Sequence, residues 1–170
     1  MEVNGNQSPK DWLLIFDRDN TLNQDTGYVH KIEDFKWCEG IQDLLISLSS
    51  IEFYSAIASN QGGIGLGLFS KDDAESFNFF LVSQAQKFGF GFDAVVFCPH
   101  ALSSSANCYC RKPNPGMIFA LRKFFSVANE KIIFVGDSDS DRLAAQNARV
   151  IFFNVKEENL AIKIKRKINP

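Results

Sequence analysis

Residues 12–21 constrain this chain more than any other stretch. Trp12-Leu13-Leu14-Ile15-Phe16 is an unbroken apolar run of the kind that forms a strand buried on both faces, and it leads directly into Asp17-Arg18-Asp19-Asn20-Thr21. While the chain stays extended, its period of two puts the side chains of Asp17 and Asp19 on one side. Carboxylates this close repel each other unless a divalent cation lies between them or one keeps its proton. In an open parallel α/β sheet, ligands bind just beyond the carboxyl ends of the strands, so the pair is placed for chemistry on an anionic substrate. A polar turn that caps the strand, with Asp19 or Asn20 as the capping residue, would use the same residue types.

The rest of the chain alternates strand-like and helix-like segments. Ile41–Ser50 carries Ile41, Leu44, Leu45 and Leu48 at helical spacing, and Phe53–Ala58 is a second strand that ends in Ser59-Asn60-Gln61-Gly62-Gly63. Those glycines would let backbone N–H groups approach a phosphate, or would simply make a turn. Lys71–Phe88 reads as a helix with Ser70 as its N-cap and Gly89 beyond its end. Strands at Ala94–Cys98, Ile132–Val135 and Val150–Phe153 alternate with helices at Met117–Phe125 and Asp141–Ala148. The alternation predicts one α/β domain over residues 1–170, a Rossmann-like parallel sheet with helices on both faces. Leu22–Gly40 is too short for a separate cap domain. Residues 1–9 and about 156–170 read as loose tails, the second carrying Lys163, Lys165, Arg166 and Lys167 on a solvated end.

Composition excludes several classes. With 170 residues, 45% of them apolar and 22% charged, the chain can bury a substantial core. A net charge of −2 gives no bulk attraction to nucleic acid, and no apolar run approaches the roughly 20 residues a membrane helix needs. We therefore expect a cytoplasmic protein, a monomer or weak oligomer, acting on a small molecule with neither nucleic acid nor membrane as partner. In a reducing compartment its four cysteines serve as thiols or metal ligands.

Two further constellations carry chemistry. The fourth strand ends in Gly136-Asp137-Ser138-Asp139-Ser140-Asp141, and Asp137 can complete an oxygen-ligand set for Mg²⁺ if that strand lies beside the first. Asp139 and Asp141 read as acids in the first turn of the next helix. Cys98-Pro99-His100 and Cys108-Tyr109-Cys110 together offer three thiolates and one imidazole, a closed tetrahedral Zn²⁺ set with a structural role, unless the thiols cluster by chance. The chain runs from Cys110 straight into Arg111 and Lys112, so an ordered zinc-bound loop would fix the entry of two cations into the site. Cys38 is left over as a small buried residue.

Asp17-x-Asp19-x-Thr21, Ser59, Lys112 and Asp137 occur in the order of the four motifs of the haloacid dehalogenase superfamily of phosphotransferases, which the chain resembles. The resemblance implies that Asp17 is the nucleophile that forms an aspartyl-phosphate and that Asp19 protonates the leaving oxygen and then activates water. Ser59 and Lys112 would hold the phosphoryl oxygens. Mg²⁺ would be bound by Asp17, Asp137 and the backbone carbonyl of Asp19. The cysteine loop, Asp25-Thr26-Gly27-Tyr28-Val29-His30 and Ser59-Asn60-Gln61-Gly62-Gly63-Ile64 look like the D-glycero-D-manno-heptose 1,7-bisphosphate 7-phosphatase branch, over roughly Leu14 to Phe153. That branch implies that Asp25, Thr26, Gly27, Tyr28 and Arg111 contact the sugar or its second phosphate, and that Asn60, Gln61, Gly62 and Ser138 border the substrate. It commonly carries a basic residue where this chain has Ser138, and often an arginine where it has Leu66. Histidinol-phosphatases share the zinc loop and remain an alternative, as do other small-metabolite phosphatases. An answer of another class is a non-catalytic, zinc-stabilised binding module. Such a module has no need of crowded carboxylates.

Overall fold

A computed structural model of the chain describes residues 10–102 and 108–170. Five parallel strands form one sheet: β1 (Leu13–Phe16), β2 (Tyr54–Asn60), β3 (Ala94–Cys98), β4 (Ile132–Gly136) and β5 (Ile151–Asn154), in the spatial order β3-β2-β1-β4-β5. The apolar run Leu13–Phe16 is the centre of that sheet. Leu13 pairs with Tyr54 on one side and Ile132 on the other, and the register continues to Phe16 between Ile57 and Val135. All four β1 residues are fully buried, which is why the run shows no polar alternation.

Alternate β1 residues feed two cores. Leu14 and Phe16 pack with α1 (Ile41–Leu48), α3 (Lys71–Gln86) and α6 (Leu160–Ile168) through Leu45, Leu48, Phe77, Leu81 and Ile164. Leu13 and Ile15 pack with α4 (Gly116–Phe125) and α5 (Asp139–Ala148) through Met117, Leu121, Ala144 and Ala145. Helices therefore cover both faces, as the strand–helix alternation requires. A four-residue helix, α2 (Gly62–Gly65), follows β2 where the glycines predict only a turn.

The expected loose end at 156–170 is corrected. Residues 160–168 form α6, with Leu160, Ile164 and Ile168 buried beside α1. Their i, i+4, i+8 spacing makes one apolar stripe, and burying it outweighs the self-repulsion of the four cations on the outer face. The expectation of a loose tail at residues 1–9 lies outside the described residues. Between β1 and α1 the chain carries a 3-10 turn, Ile32–Asp34, and no inserted domain. No helix is long and apolar enough to cross a membrane.

The strand order sets the position of the site. After β1, β2 and β3 the chain returns to the other side of β1 to lay down β4 and β5. The reversal opens a crevice beyond the carboxyl ends of β1 and β4, the location where open α/β sheets bind ligands.

Candidate active site

That crevice holds Asp17 one residue past β1 and Asp137 one residue past β4. The backbone N–H of Asp17 still donates to Val135 O at 2.8 Å, so the residue is fixed by the sheet itself. Carboxylate oxygens of Asp17, Asp137 and Asp141 lie within 4.8 Å of one another. Three oxygen donors so close, two of them on buried residues, form a chemically suitable set for a small hard cation such as Mg²⁺.

Asp141 is the residue that sequence reasoning missed. Its position predicts an ordinary first-turn acid, yet it is wholly buried, whereas Asp139 in the same turn is exposed. Helix α5 begins two residues earlier than expected, at Asp139, which turns the third residue of the helix inward. The spacing Asp137-x-x-x-Asp141 is the signal that could have found it. Ser138 caps α5: its hydroxyl accepts from Asp141 N–H at 3.2 Å, and its own N–H donates to the Asp141 carboxylate at 3.1 Å. This capping box locks Asp141 with one oxygen turned toward the crevice.

Lys112 bridges the acids. Its Nζ, on a residue 5% exposed, lies 2.5 Å from Asp17 Oδ1 and 2.6 Å from Asp141 Oδ1, and donates to Ala58 O at 3.0 Å. Burial alone would discharge this ammonium, but Asp17 and Asp141 outweigh it and hold its pKa above the usual lysine value. Burial acts the other way on Asp17. Withdrawal from water, reinforced by the charges of Asp141 and Asp19 and opposed by Lys112, pushes its carboxyl up to about 7. Asp137 is also raised, first by burial and then by Asp141. Three acids crowded around one buried cation, one of them pushed up to about 7, form an arrangement that a cation or a phosphoryl group would complete.

Asn60 holds the backbone of Lys112. Its side-chain amide accepts from Lys112 N–H at 3.0 Å and donates to Lys112 O at 3.1 Å, so both of its polar groups are engaged. Gln61, 3% exposed, donates from Nε2 to Asp19 Oδ2 and to Ser59 Oγ, both at 2.7 Å. Ser59 lies on β2 with its hydroxyl 3.5 Å from Asp19 Oδ2. The Asp19 carboxylate thus stands outside the group formed by Asp17, Asp137 and Asp141, among hydrogen-bond donors.

Asp25, Thr26, Gly27 and Tyr28 form a partly exposed loop after β1. The Asp25 carboxylate accepts from the N–H groups of Gly27 at 3.1 Å and Val29 at 3.0 Å, which shapes the loop and supports the positive φ of both Gly27 and Tyr28. Tyr28 lines a depression of about 510 Å³ with Gly62, Leu66, Ala101, Leu102 and Arg111. Arg111 Nη1 donates to His100 O at 2.8 Å, and a Cβ at Gly62 would lie only 2.9 Å from that nitrogen, so glycine is what lets the guanidinium sit there.

The four side chains Cys98, His100, Cys108 and Cys110 come together as their spacing implied. Cys98 Sγ, His100 Nδ1, Cys108 Sγ and Cys110 Sγ lie between 3.1 and 3.5 Å from one another in all six pairings. Six near-equal separations define a tetrahedron, and the donor set of three sulfurs and one nitrogen fits zinc. Burial opposes charge on Cys108, but hydrogen bonds from Cys110 and from Arg111 N–H bring its thiol down to about 7. Arg111 N donates to Cys108 Sγ at 3.2 Å, so the loop anchors the residue preceding Lys112.

Residues 12–165 match the family described as polynucleotide kinase 3 phosphatase. The chain is 38% identical to the D-glycero-beta-D-manno-heptose-1,7-bisphosphate 7-phosphatase of Helicobacter pylori (strain ATCC 700392 / 26695), across 81% of this chain and 79% of that protein. It is 34% identical to the D-glycero-alpha-D-manno-heptose-1,7-bisphosphate 7-phosphatase of Campylobacter jejuni, across 81% and 77%. Among solved structures it resembles the D,D-heptose 1,7-bisphosphate phosphatase of B. bronchiseptica complexed with magnesium and phosphate, with a TM-score of 0.76 and 28% identity across 83% of this chain and 78% of that one.

Proposed function

Since the chain belongs to the haloacid dehalogenase-like family of heptose-1,7-bisphosphate 7-phosphatases and is a phosphatase, we propose that it hydrolyses the 7-phosphate of D-glycero-D-manno-heptose 1,7-bisphosphate through an aspartyl-phosphate on Asp17. The observation that carries the mechanism is the buried set of Asp17, Lys112 and Asp141 at the switch point of the sheet, with Asp137 beside it. Asp17 attacks phosphorus as a carboxylate, an Asp17–phosphorus bond forms and the bond from phosphorus to the sugar oxygen breaks. Asp19 gives its proton to that departing oxygen, then takes one from the water that attacks the aspartyl-phosphate and releases inorganic phosphate. Lys112 and the Ser59 hydroxyl hold the phosphoryl oxygens and balance the charge that spreads over them. Asp17, Asp137, Asp141 and the Asp19 carbonyl would hold Mg²⁺, which would neutralise charge on the bound phosphate and on the crowded acids. Cys98, His100, Cys108 and Cys110 would hold Zn²⁺, which would order the loop that delivers Arg111 and Lys112.

Proton linkage gives one test. Asp17 keeps a proton in the folded protein up to about pH 7 that the unfolded chain sheds near pH 4, so its contribution to folding stability falls as pH rises across that window. A bound cation must displace that proton. The apparent Mg²⁺ affinity should therefore weaken by up to ~10-fold per pH unit below 7. The rise in melting temperature on adding Mg²⁺ should be larger at pH 8 than at pH 6, and an equal rise at both values would remove Asp17 from the cation site.

Substrate choice is tested at Arg111. A second phosphate needs a cation, and Arg111 lines the depression beside Tyr28, where Leu66 supplies no charge. Against both anomers of heptose 1,7-bisphosphate, heptose 7-phosphate, histidinol phosphate and a 3′-phosphorylated oligonucleotide, the bisphosphate should have the highest kcat/KM. Arg111→Ala should lower kcat/KM for the bisphosphate by ~10- to 100-fold more than for the monophosphate, the scale of one charged hydrogen bond to phosphate. Equal losses on the two would count against a second phosphate at Arg111, and a preference for histidinol phosphate would move the protein to that alternative.

A further inference from the structure

Arg18 is entirely buried, and no step described above uses it. Burying a guanidinium carries a desolvation cost of several kcal/mol unless its donors are met, and the neighbouring strand positions are filled by Phe16 and other apolar residues without that cost. Its donors are met by an organised set of partners. Nε donates to Asp19 Oδ1 at 2.9 Å and Nη2 to Asp19 Oδ2 at 3.0 Å, a two-pronged grip on that carboxylate. Nη2 also donates to Val29 O at 2.9 Å, at the end of the Asp25–Tyr28 loop. Nη1 donates to Asn78 Oδ1 at 3.2 Å, and the guanidinium lies 4.7 Å from the centroid of the Phe77 ring, both residues on α3.

We propose that Arg18 is a positioning residue for proton transfer, with Asn78 holding it in place from α3. The inference rests on the reading of Asp19 as the proton donor. Gln61 and Asn23 also donate to Asp19, at 2.7 and 3.1 Å, but each reaches a single carboxylate oxygen. The Arg18 fork fixes the plane of the carboxylate, and therefore the direction in which its proton is delivered to the leaving oxygen. Through Val29 O the same guanidinium ties that direction to the loop that carries Gly27 and Tyr28. Asn78, 4% exposed, is a polar side chain in a helix face otherwise buried through Ala74, Phe77 and Leu81, and its partner here is Arg18.

A leaving-group comparison tests this. A p-nitrophenolate departs without protonation, whereas a sugar alkoxide needs a proton donor, worth ~10²–10⁴-fold in rate. In Asn78→Leu, kcat/KM should fall at least ~10-fold more for the sugar phosphate than for p-nitrophenyl phosphate, and Arg18→Met should enlarge that ratio. Arg18→Lys should not restore it, because an ammonium cannot make the fork. Equal losses on the two esters, or a lower melting temperature with the ratio unchanged, would reduce Arg18 and Asn78 to structural residues and overturn the proposal. If Arg18→Met does not fold, the ratio in Asn78→Leu decides. Wild-type protein inactive on both esters would instead overturn the phosphatase reading, and is told apart because the ratio is taken only from an active parent.

Discussion

Asp17→Asn should leave a folded protein without measurable turnover, with kcat down by ~10³-fold or more, as expected when the attacking atom itself is removed. An amide oxygen cannot form the anionic, then phosphorylated, intermediate, and no other carboxylate in the cluster follows β1. The fold should tolerate the change. In the folded protein the Asp17 charge is disfavoured by burial and by Asp141 and Asp19, and Lys112 keeps Asp141 and Ala58 O as partners after the substitution. The melting temperature should therefore stay within a few degrees of the parent value or rise. Steady-state assays with the bisphosphate, paired with thermal unfolding of the same preparation, measure both. Retention of a tenth of the parent activity would sink covalent catalysis at Asp17.

Cys108→Ser should lower stability and activity together. Protein purified without chelator should contain one zinc per chain, because four donors at mutual distances of 3.1–3.5 Å in the folded chain leave little reorganisation to bind it. Losing one ligand removes the thiolate that also accepts the Arg111 N–H, so the segment from Arg111 to Lys112 loses an anchor at the same time. A loss of ~3 kcal/mol would lower the melting temperature by ~6–12 °C for a chain of this size. kcat should fall as well, since Lys112 must reach Asp17 and Asp141 from that segment. Asn60, which grips the Lys112 backbone from β2, should preserve part of the activity. Elemental analysis, unfolding curves and kcat on the same variant give the answer, and a zinc-free parent of full activity would rule out the structural metal.

The two predictions draw on residues that differ in how readable they were. Asp17, Asp137 and the cluster of Cys98, His100, Cys108 and Cys110 announce themselves because the signal is local: an apolar run that stops at an acid, or thiols closely spaced along the chain. Asp141 was misread because a first-turn acid and a buried acid look identical along the chain. Only the capping box with Ser138 turned its carboxylate toward Lys112. Nothing along the chain shows that the amides of Asn60 and Gln61 brace Lys112 and Asp19, because that depends on which loop comes to rest above β2.

By itself the sequence determined the parallel α/β architecture, most strand and helix segments to within a residue or two, the cluster of Cys98, His100, Cys108 and Cys110, and two of the three acids that meet at the crevice. Each of these follows from short-range regularities: strand and helix periods, caps and ligand spacing. Tertiary structure alone decided that residues 160–168 form a helix, since their four cations argue for a solvated end until the stripe of Leu160, Ile164 and Ile168 finds α1 to pack against. It alone decided the protonation balance at Asp17, which depends on burial and on charges 95 and 124 residues away in the chain, at Lys112 and Asp141. It also made a guanidinium between two aspartates the hub that joins Asp19, the Val29 loop and α3. A charge in a strand-end turn is ordinarily solvated, and only the closing of α3 over β1 takes the water from Arg18 and leaves it those partners.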